Sequence, residues 1–202
     1  MRRLYGLIFA LALSACGEAP PRLPALGADD VILSFGDSLT YGTGARAEES
    51  YPAVLATLIG RTVVRSGVPG EVSAAGRKRL SAELERHQPK LLILCHGGND
   101  LLRKRSLGAL EENLRAMIAD ARARGVAVML LGVPRPALFG LEAAEAYHTV
   151  ATATAVPLLA DALPEILADN NLKADPIHPN AAGYARLAQA VADYLRTTGA
   201  VD

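Results

Sequence analysis

The 202-residue sequence has no tryptophan, three phenylalanines and two cysteines. Cys16 and Cys95 sit in such different surroundings that a disulfide framework is not expected. The patterns G-x-x-x-x-G-K-[ST], H-E-x-x-H and C-x-x-C are all missing, so neither a metal nor a cofactor is expected. Neither sign of charge prevails, since 21 basic side chains face 21 acidic ones. A nucleic-acid partner is therefore not expected, and any charged ligand must be met by a local cluster. No apolar run approaches the ~20 residues that a permanent bilayer-spanning helix needs.

What is present begins with MRRLYGLIFALALSAC, which carries two arginines, an apolar stretch from Leu4 to Leu13 and small residues before Cys16. This is the layout of a secretory signal. Its end, Leu13-Ser14-Ala15-Cys16, resembles a bacterial lipobox, which implies that Cys16 is lipidated and becomes the mature N-terminus; a core cysteine in an ordinary helix is the alternative. Residues 17–29 then read as a Pro/Gly-rich tether and 30–202 as one domain. Gly17 is not the aspartate that marks inner-membrane retention in enteric-type sorting. The expected location is the outer membrane of a bacterial envelope, facing the periplasm, with the lipid as the contact to the membrane.

Half of the residues are hydrophobic, enough to bury a substantial core. Short apolar runs at 31–35, 61–65, 91–95, 126–131 and, weakly, 156–159 suit strands buried on both faces. Between them lie helix candidates at 51–59, 71–87, 107–124, 141–154 and 180–196. In the third of these, Leu107, Leu110, Leu114, Met117, Ile118 and Ala121 recur at threes and fours, which buries one face. Alternating strands and helices imply parallel strands joined by right-handed crossovers, hence an α/β protein, a three-layer α/β/α sandwich around a five-stranded parallel sheet.

Ligands of such sheets bind outside the carboxyl ends of the strands. The polar motifs fall there: Gly36-Asp37-Ser38, Gly67 to Gly70, and Gly97 to Asp100. A serine hydroxyl needs a base within reach, and the base needs an orienting partner. Among four histidines, His87 and His148 read as surface or packing residues and His96 as a strand-end packing residue. His178 differs: in ADPIHPN, Asp175 precedes it by three residues in a loop stiffened by Pro176 and Pro179. That spacing can hold a carboxylate against Nδ1 and leave Nε2 free for the serine proton. Taken alone, the stretch also reads as a turn before a helix capped by Asn180. The amides of Ser38 and Gly70 and the carboxamide of Asn99 are candidate oxyanion donors, with Asp37 as turn organiser and Asp100 as a cap or brace. The serine context lacks the second glycine of the G-x-S-x-G elbow.

GDSLTYG, the turn SGVPG, GGND and DPIH occur in the order of the four blocks of the SGNH (GDSL) hydrolases, which the chain resembles from about Asp30 to Leu195. It looks closest to the bacterial branch with thioesterase I, protease I and lysophospholipase L1 activities, and to arylesterases. The resemblance implies Ser38 as nucleophile, Gly70 and Asn99 as oxyanion donors, His178 as base and Asp175 as its partner. It further implies a flavodoxin-like sheet of order 2-1-3-4-5 and no metal or cofactor. The sequence departs from the pattern at Arg65, where many relatives carry an asparagine bracing the second block. How that turn is held is thereby left open.

By the same resemblance, Leu101 and Leu102 after GGND, and Leu138 and Phe139 in PRPALFG, become acyl-binding walls; packing of those loops onto the sheet is the alternative. Arg103-Lys104-Arg105 reads as a solvated loop, with steering of an anionic substrate as the other reading. Three functions stand side by side: an esterase or thioesterase acting on acyl substrates through an acyl-serine, a periplasmic carbohydrate or peptidoglycan O-acetylesterase, and a non-catalytic binding lipoprotein.

Overall fold

The computed structural model describes residues 20–202. The expected signal segment and Cys16 lie outside the described residues. In chain order the elements are β1 (Val31–Gly36), α1 (Ser38–Tyr41), α2 (Tyr51–Ile59), β2 (Thr62–Gly67), α3 (Ser73–His87), β3 (Leu91–Cys95), α4 (Gly98–Leu102), α5 (Leu107–Ala123) and β4 (Ala127–Leu131). Then follow β5 (Pro134–Ala137), β6 (Gly140–Ala143), α6 (Glu145–Thr154), β7 (Leu158–Leu159), α7 (Ala162–Ala168) and α8 (Ala181–Thr198).

The central sheet is parallel, in the order β2-β1-β3-β4-β7. Helix α2 packs with α8, while α5 packs with both α3 and α6, so the sheet is flanked by helices. The three-layer α/β sandwich read from the alternation is the observed fold. β3 shows why: Leu91, Leu92, Ile93, Leu94 and Cys95 are all buried. Each large aliphatic side chain so buried contributes ~1.5–3 kcal/mol relative to exposure. Continuous burial on both faces is what a central parallel strand demands.

Register brings the strand ends into line, with Gly36 of β1 opposite Gly67 of β2 and Cys95 of β3. A Cβ on Gly36 would sit 1.9 Å from the carbonyl oxygen of Cys95. Only glycine lets β1 end this close to β3, so the turn carrying Ser38 starts at the very edge of the sheet.

Four local features differ from the sequence reading. Residues 140–143 are not the start of a helix but β6, paired antiparallel with β5. Pro134 and Pro136 argue against a strand there. Their i, i+2 spacing, however, puts both missing N–H groups on one edge and leaves the other edge free to pair. Helix α7, with Pro164 inside its first turn, went unread because proline masks helical periodicity. α3 begins at Ser73 rather than 71, because Glu71 is drawn into an ion cluster. Finally, residues 23–26 do not belong to a free tether: Leu23 and Leu26 are buried, and their amides donate to the carbonyls of Thr198 and Ala200 at 3.0 and 2.8 Å. Among the described residues no helix is long and apolar enough to cross a membrane.

Candidate active site

Ser38 opens α1 one residue after the glycine that ends β1. The preceding Asp37 is buried and caps this short helix by accepting from the Leu39 amide at 3.1 Å. Its other carboxylate oxygen, Oδ2, accepts from Asn99 Nδ2 at 3.3 Å, which ties the first turn to the third. Burial pushes the Asp37 carboxyl up from the ordinary aspartate value, against the opposing pull of His96 and of the N–H groups of Leu39, Asn99 and Gly98.

Opposite Ser38, the 175–178 loop precedes α8, whose N-cap Asn180 accepts from the Gly183 amide at 3.0 Å. Asp175 has two jobs within that loop. Its Oδ1 accepts from the amides of Ile177 and His178, both at 2.9 Å, while Oδ2 lies 2.7 Å from His178 Nδ1. Because Oδ2 can only accept, the proton sits on Nδ1 and Nε2 presents its lone pair. Nε2 lies 2.9 Å from Ser38 Oγ. Desolvation favours the neutral Asp175 carboxyl, but hydrogen bonds from His178 and Ile177 together with the imidazole's charge outweigh it and hold the group below its usual value. Serine, imidazole and carboxylate thus form an unbroken hydrogen-bonded chain.

The expected donor side is built from three turns. Asn99 Nδ2 donates to the Glu71 carbonyl at 3.0 Å and, at longer range, to Asp37. Both partners are acceptors, so the carboxamide nitrogen must face them. Gly70 offers its carbonyl to Arg103 Nη2 at 3.0 Å, and the walls of the adjacent cavity do not include it. Asp100 braces the second turn against the third by accepting from the Ser73 amide at 2.7 Å and from its hydroxyl at 2.8 Å.

A cavity of about 450 Å³ opens beside Ser38 and His178. Leu101 and Leu102 line it, as expected, together with Val133, Pro136, Leu141 and Ile177. Leu138 and Phe139 do not. They form the tip of the β5–β6 hairpin, 89% and 92% exposed, because the strand pairing that went unread carries them away from the sheet. The residues of that segment that line the cavity are instead at its base, Pro134, Pro136 and Leu141.

Residues 34–186 match the GDSL-like Lipase/Acylhydrolase family. The chain belongs to that family. It is 33% identical to Esterase TesA of Pseudomonas aeruginosa over 192 residues, covering 90% of this chain and 95% of that protein. It is also 33% identical to Thioesterase 1/protease 1/lysophospholipase L1 of Escherichia coli K12 over 160 residues, 76% of this chain and 77% of that one. A crystal structure of TesA superposes with a TM-score of 0.77 at 30% identity, covering 84% of this chain and 99% of the other.

Seen as a member of the GDSL-like family, the chain answers the question raised by Arg65. Its guanidinium turns toward the first block, donating to the Tyr41 carbonyl at 2.6 Å and lying 5.0 Å from that ring's centre. The second turn is held by a cluster that no motif announced. Arg79 of α3 pairs with Glu71 at 2.7 Å, donates to Ser66 Oγ at 2.6 Å and stacks 4.1 Å from the Phe35 ring centre. His96, fully buried, donates from Nε2 to the same Glu71 carboxylate at 3.0 Å. Burial pushes the Glu71 carboxyl up, yet hydrogen bonds from His96 and Arg79 and the charge of Arg79 prevail and hold it down to about 2. Gly76 makes room for this contact, since a Cβ there would lie 2.2 Å from His96 Nε2. His96 does pack at a strand end, but it also anchors the second turn through Glu71. The signal that could have found the cluster is a histidine inside an apolar run, which a fold buries only with a polar partner.

Proposed function

We propose that the protein is a serine hydrolase of carboxylic esters or thioesters with acyl chains longer than acetyl, working through an acyl-Ser38 intermediate. The observation that carries the reading is the chain Ser38 Oγ, His178 Nε2, His178 Nδ1, Asp175 Oδ2, with links of 2.9 and 2.7 Å at its two ends. His178 Nε2 takes the hydroxyl proton as Oγ bonds to the acyl carbon, and Asp175 stabilises the imidazolium that forms. The tetrahedral oxyanion is met by N–H donors: Asn99 Nδ2, whose longer bond to Asp37 is the one an oxyanion replaces, and the backbone amide of Ser38. Collapse breaks the ester or thioester bond, and His178 passes its proton to the departing oxygen or sulfur. Water then repeats the sequence on the acyl-serine and frees the acid.

The apolar walls favour acyl chains over a lone acetyl group, because Leu101, Leu102, Val133, Pro136, Leu141 and Ile177 offer far more surface than one methyl can cover. P. aeruginosa Esterase TesA is named an esterase, and the E. coli relative a thioesterase and lysophospholipase, which fits ester and thioester hydrolysis here. In the same reading Cys16 carries the lipid that tethers the enzyme to the outer membrane on its periplasmic side; recovery of unmodified Cys16 from the native membrane would remove that part.

The test is a series of p-nitrophenyl esters from acetate to palmitate, run beside Ser38→Ala and a phosphonate label. Activity should rise beyond acetate, the label should fall on the Ser38 peptide, and Ser38→Ala should fold and be inactive. A profile confined to acetate sinks the acyl-chain reading in favour of an O-acetylesterase; full activity in Ser38→Ala sinks the serine mechanism.

A further inference from the structure

The β5–β6 hairpin forms a sheet of its own beside the central one, and its two-residue turn is Leu138-Phe139. The turn closes without strain at either residue, because the positive φ it needs, 92°, falls on Gly140. Two large apolar residues at the tip serve neither the turn nor the core, since both side chains stand almost wholly in solvent. Two adjacent bare apolar side chains with no packing gain point to a contact surface.

The surroundings of the tip indicate which function. The hairpin base lines the cavity beside Ser38 and His178, and the tip extends it outward beyond the lining residues. From another wall of the same cavity, Leu102 is 55% exposed and is followed by the exposed run Arg103-Lys104-Arg105 and by Leu107, itself 41% exposed. No acidic residue occurs between 101 and 110, and the one in the hairpin, Glu142, is paired with Arg135 at 2.9 Å. Lys104 and Arg105 make no ion pair among the described residues. A chain of zero formal net charge therefore carries unpaired cations and bare apolar side chains on two segments that wall one cavity.

We propose that this rim docks on an anionic phospholipid bilayer. Leu138 and Phe139 enter the interfacial zone while Lys104 and Arg105 lie on the headgroups, so the cavity opens onto acyl chains at the surface. Aromatic and aliphatic side chains beside basic ones are the composition of interfacial membrane contacts. A projecting two-residue tip is too small for a stable protein interface, which buries ~1,200 Å² or more. It is also convex, the wrong shape for enclosing a small ligand. This contact is separate from N-terminal anchoring: residues 23–26 join the body at the far end of α8, about 27 Å from the catalytic end for 18 helical residues. The proposal gains its purpose from the acyl-ester reading, but its test needs no turnover.

Because the chain has no tryptophan, Phe139→Trp in the full chain gives a single reporter at the tip. Its emission should shift to the blue on adding vesicles of phosphatidylethanolamine and phosphatidylglycerol, and lipids brominated along their acyl chains should quench it. A parallel Leu58→Trp on α2 should change little. Lys104→Glu with Arg105→Glu should weaken the response to anionic vesicles on the order of tenfold at ~0.1 M salt and leave that to phosphatidylcholine unchanged. Any of three results overturns the proposal: no shift with any vesicle, an equal shift at Leu58→Trp, or a shift without lipid. A lipid-free shift that follows a soluble short-chain ester means the tip closes on the cleft, and one that follows protein concentration means two chains meet there. Loss of ester hydrolysis in Ser38→Ala with the vesicle response intact separates this contact from the catalytic reading.

Discussion

Asp175 and His178 stand three residues apart in one loop, with the Asp175 side chain 45% exposed, whereas the side facing them is assembled from three turns far apart in sequence. There Asp37, His96 and Asp100 are buried, and Glu71 is nearly so. The relay can stand in solvent because covalent connection and two backbone hydrogen bonds already fix its geometry. The donor side has no such local constraint. Its positions are set by mutually satisfied polar groups in a low-dielectric setting, where each missing partner is costly. A change in the relay should therefore damage chemistry and spare the fold, while a change beneath the donors should damage both.

The sharpest test of this contrast is Asp175→Asn. The amide oxygen can keep both turn bonds, so the loop should survive. The NH₂ group then faces Nδ1, which must accept, and the proton moves to Nε2, where it opposes removal of the serine proton. The rate should fall by up to ~10⁴ with an unchanged circular dichroism spectrum and melting temperature. Activity near wild type would reduce the relay to Ser38 and His178 alone.

Asn99→Ala should act next most strongly, lowering kcat by about 10²- to 10³-fold with little change in KM, since the amide serves the transition state. A loss confined to KM would make Asn99 a substrate-binding group. Because this residue also ties Glu71 to Asp37, thermal melting should show a modest loss of stability that Asp175→Asn does not show.

Glu71→Gln should have the smallest effect on rate, up to ~10²-fold in kcat through displacement of the turn, joined to a stability loss of about 2–3 kcal/mol as Arg79 and His96 lose their anion. Its pH signature follows from the depressed Glu71 value. The folded carboxyl titrates at about 2 against 4.5 unperturbed, so its stabilisation is complete above the ordinary glutamate range and disappears as pH falls through that window toward 2. Denaturant melts of wild type between those limits should lose stability, and Glu71→Gln should lose less. Equal slopes would place the acid sensitivity elsewhere.

The relay was legible in the sequence because its parts are local or carry strong signals: a serine after a buried strand, and an aspartate and histidine spaced for one imidazole between prolines. The central strands were legible because burial on both faces leaves continuous apolar runs. The hairpin was not, since alternate prolines read as loop until a partner strand is known. Nor was the Glu71-Arg79-His96 cluster, whose members come from a turn, a helix and a strand end with no fixed spacing. The same gap misplaced Leu138 and Phe139: adjacency to the fourth strand placed them near the cavity, and only the pairing of β5 with β6 decided which of their neighbours face it.

The sequence by itself determined the layered α/β architecture, the place of the polar turns at the carboxyl ends of the strands, and the Asp175-His178 pair, because periodicity and short covalent spacing act within a few residues. The tertiary structure decided how the second turn is braced with Arg65 directed elsewhere, which apolar residues wall the cavity, and that residues 23–26 fasten onto α8. These rest on contacts between segments tens of residues apart, and such contacts exist only once burial has brought the segments together and made unpaired polar groups costly.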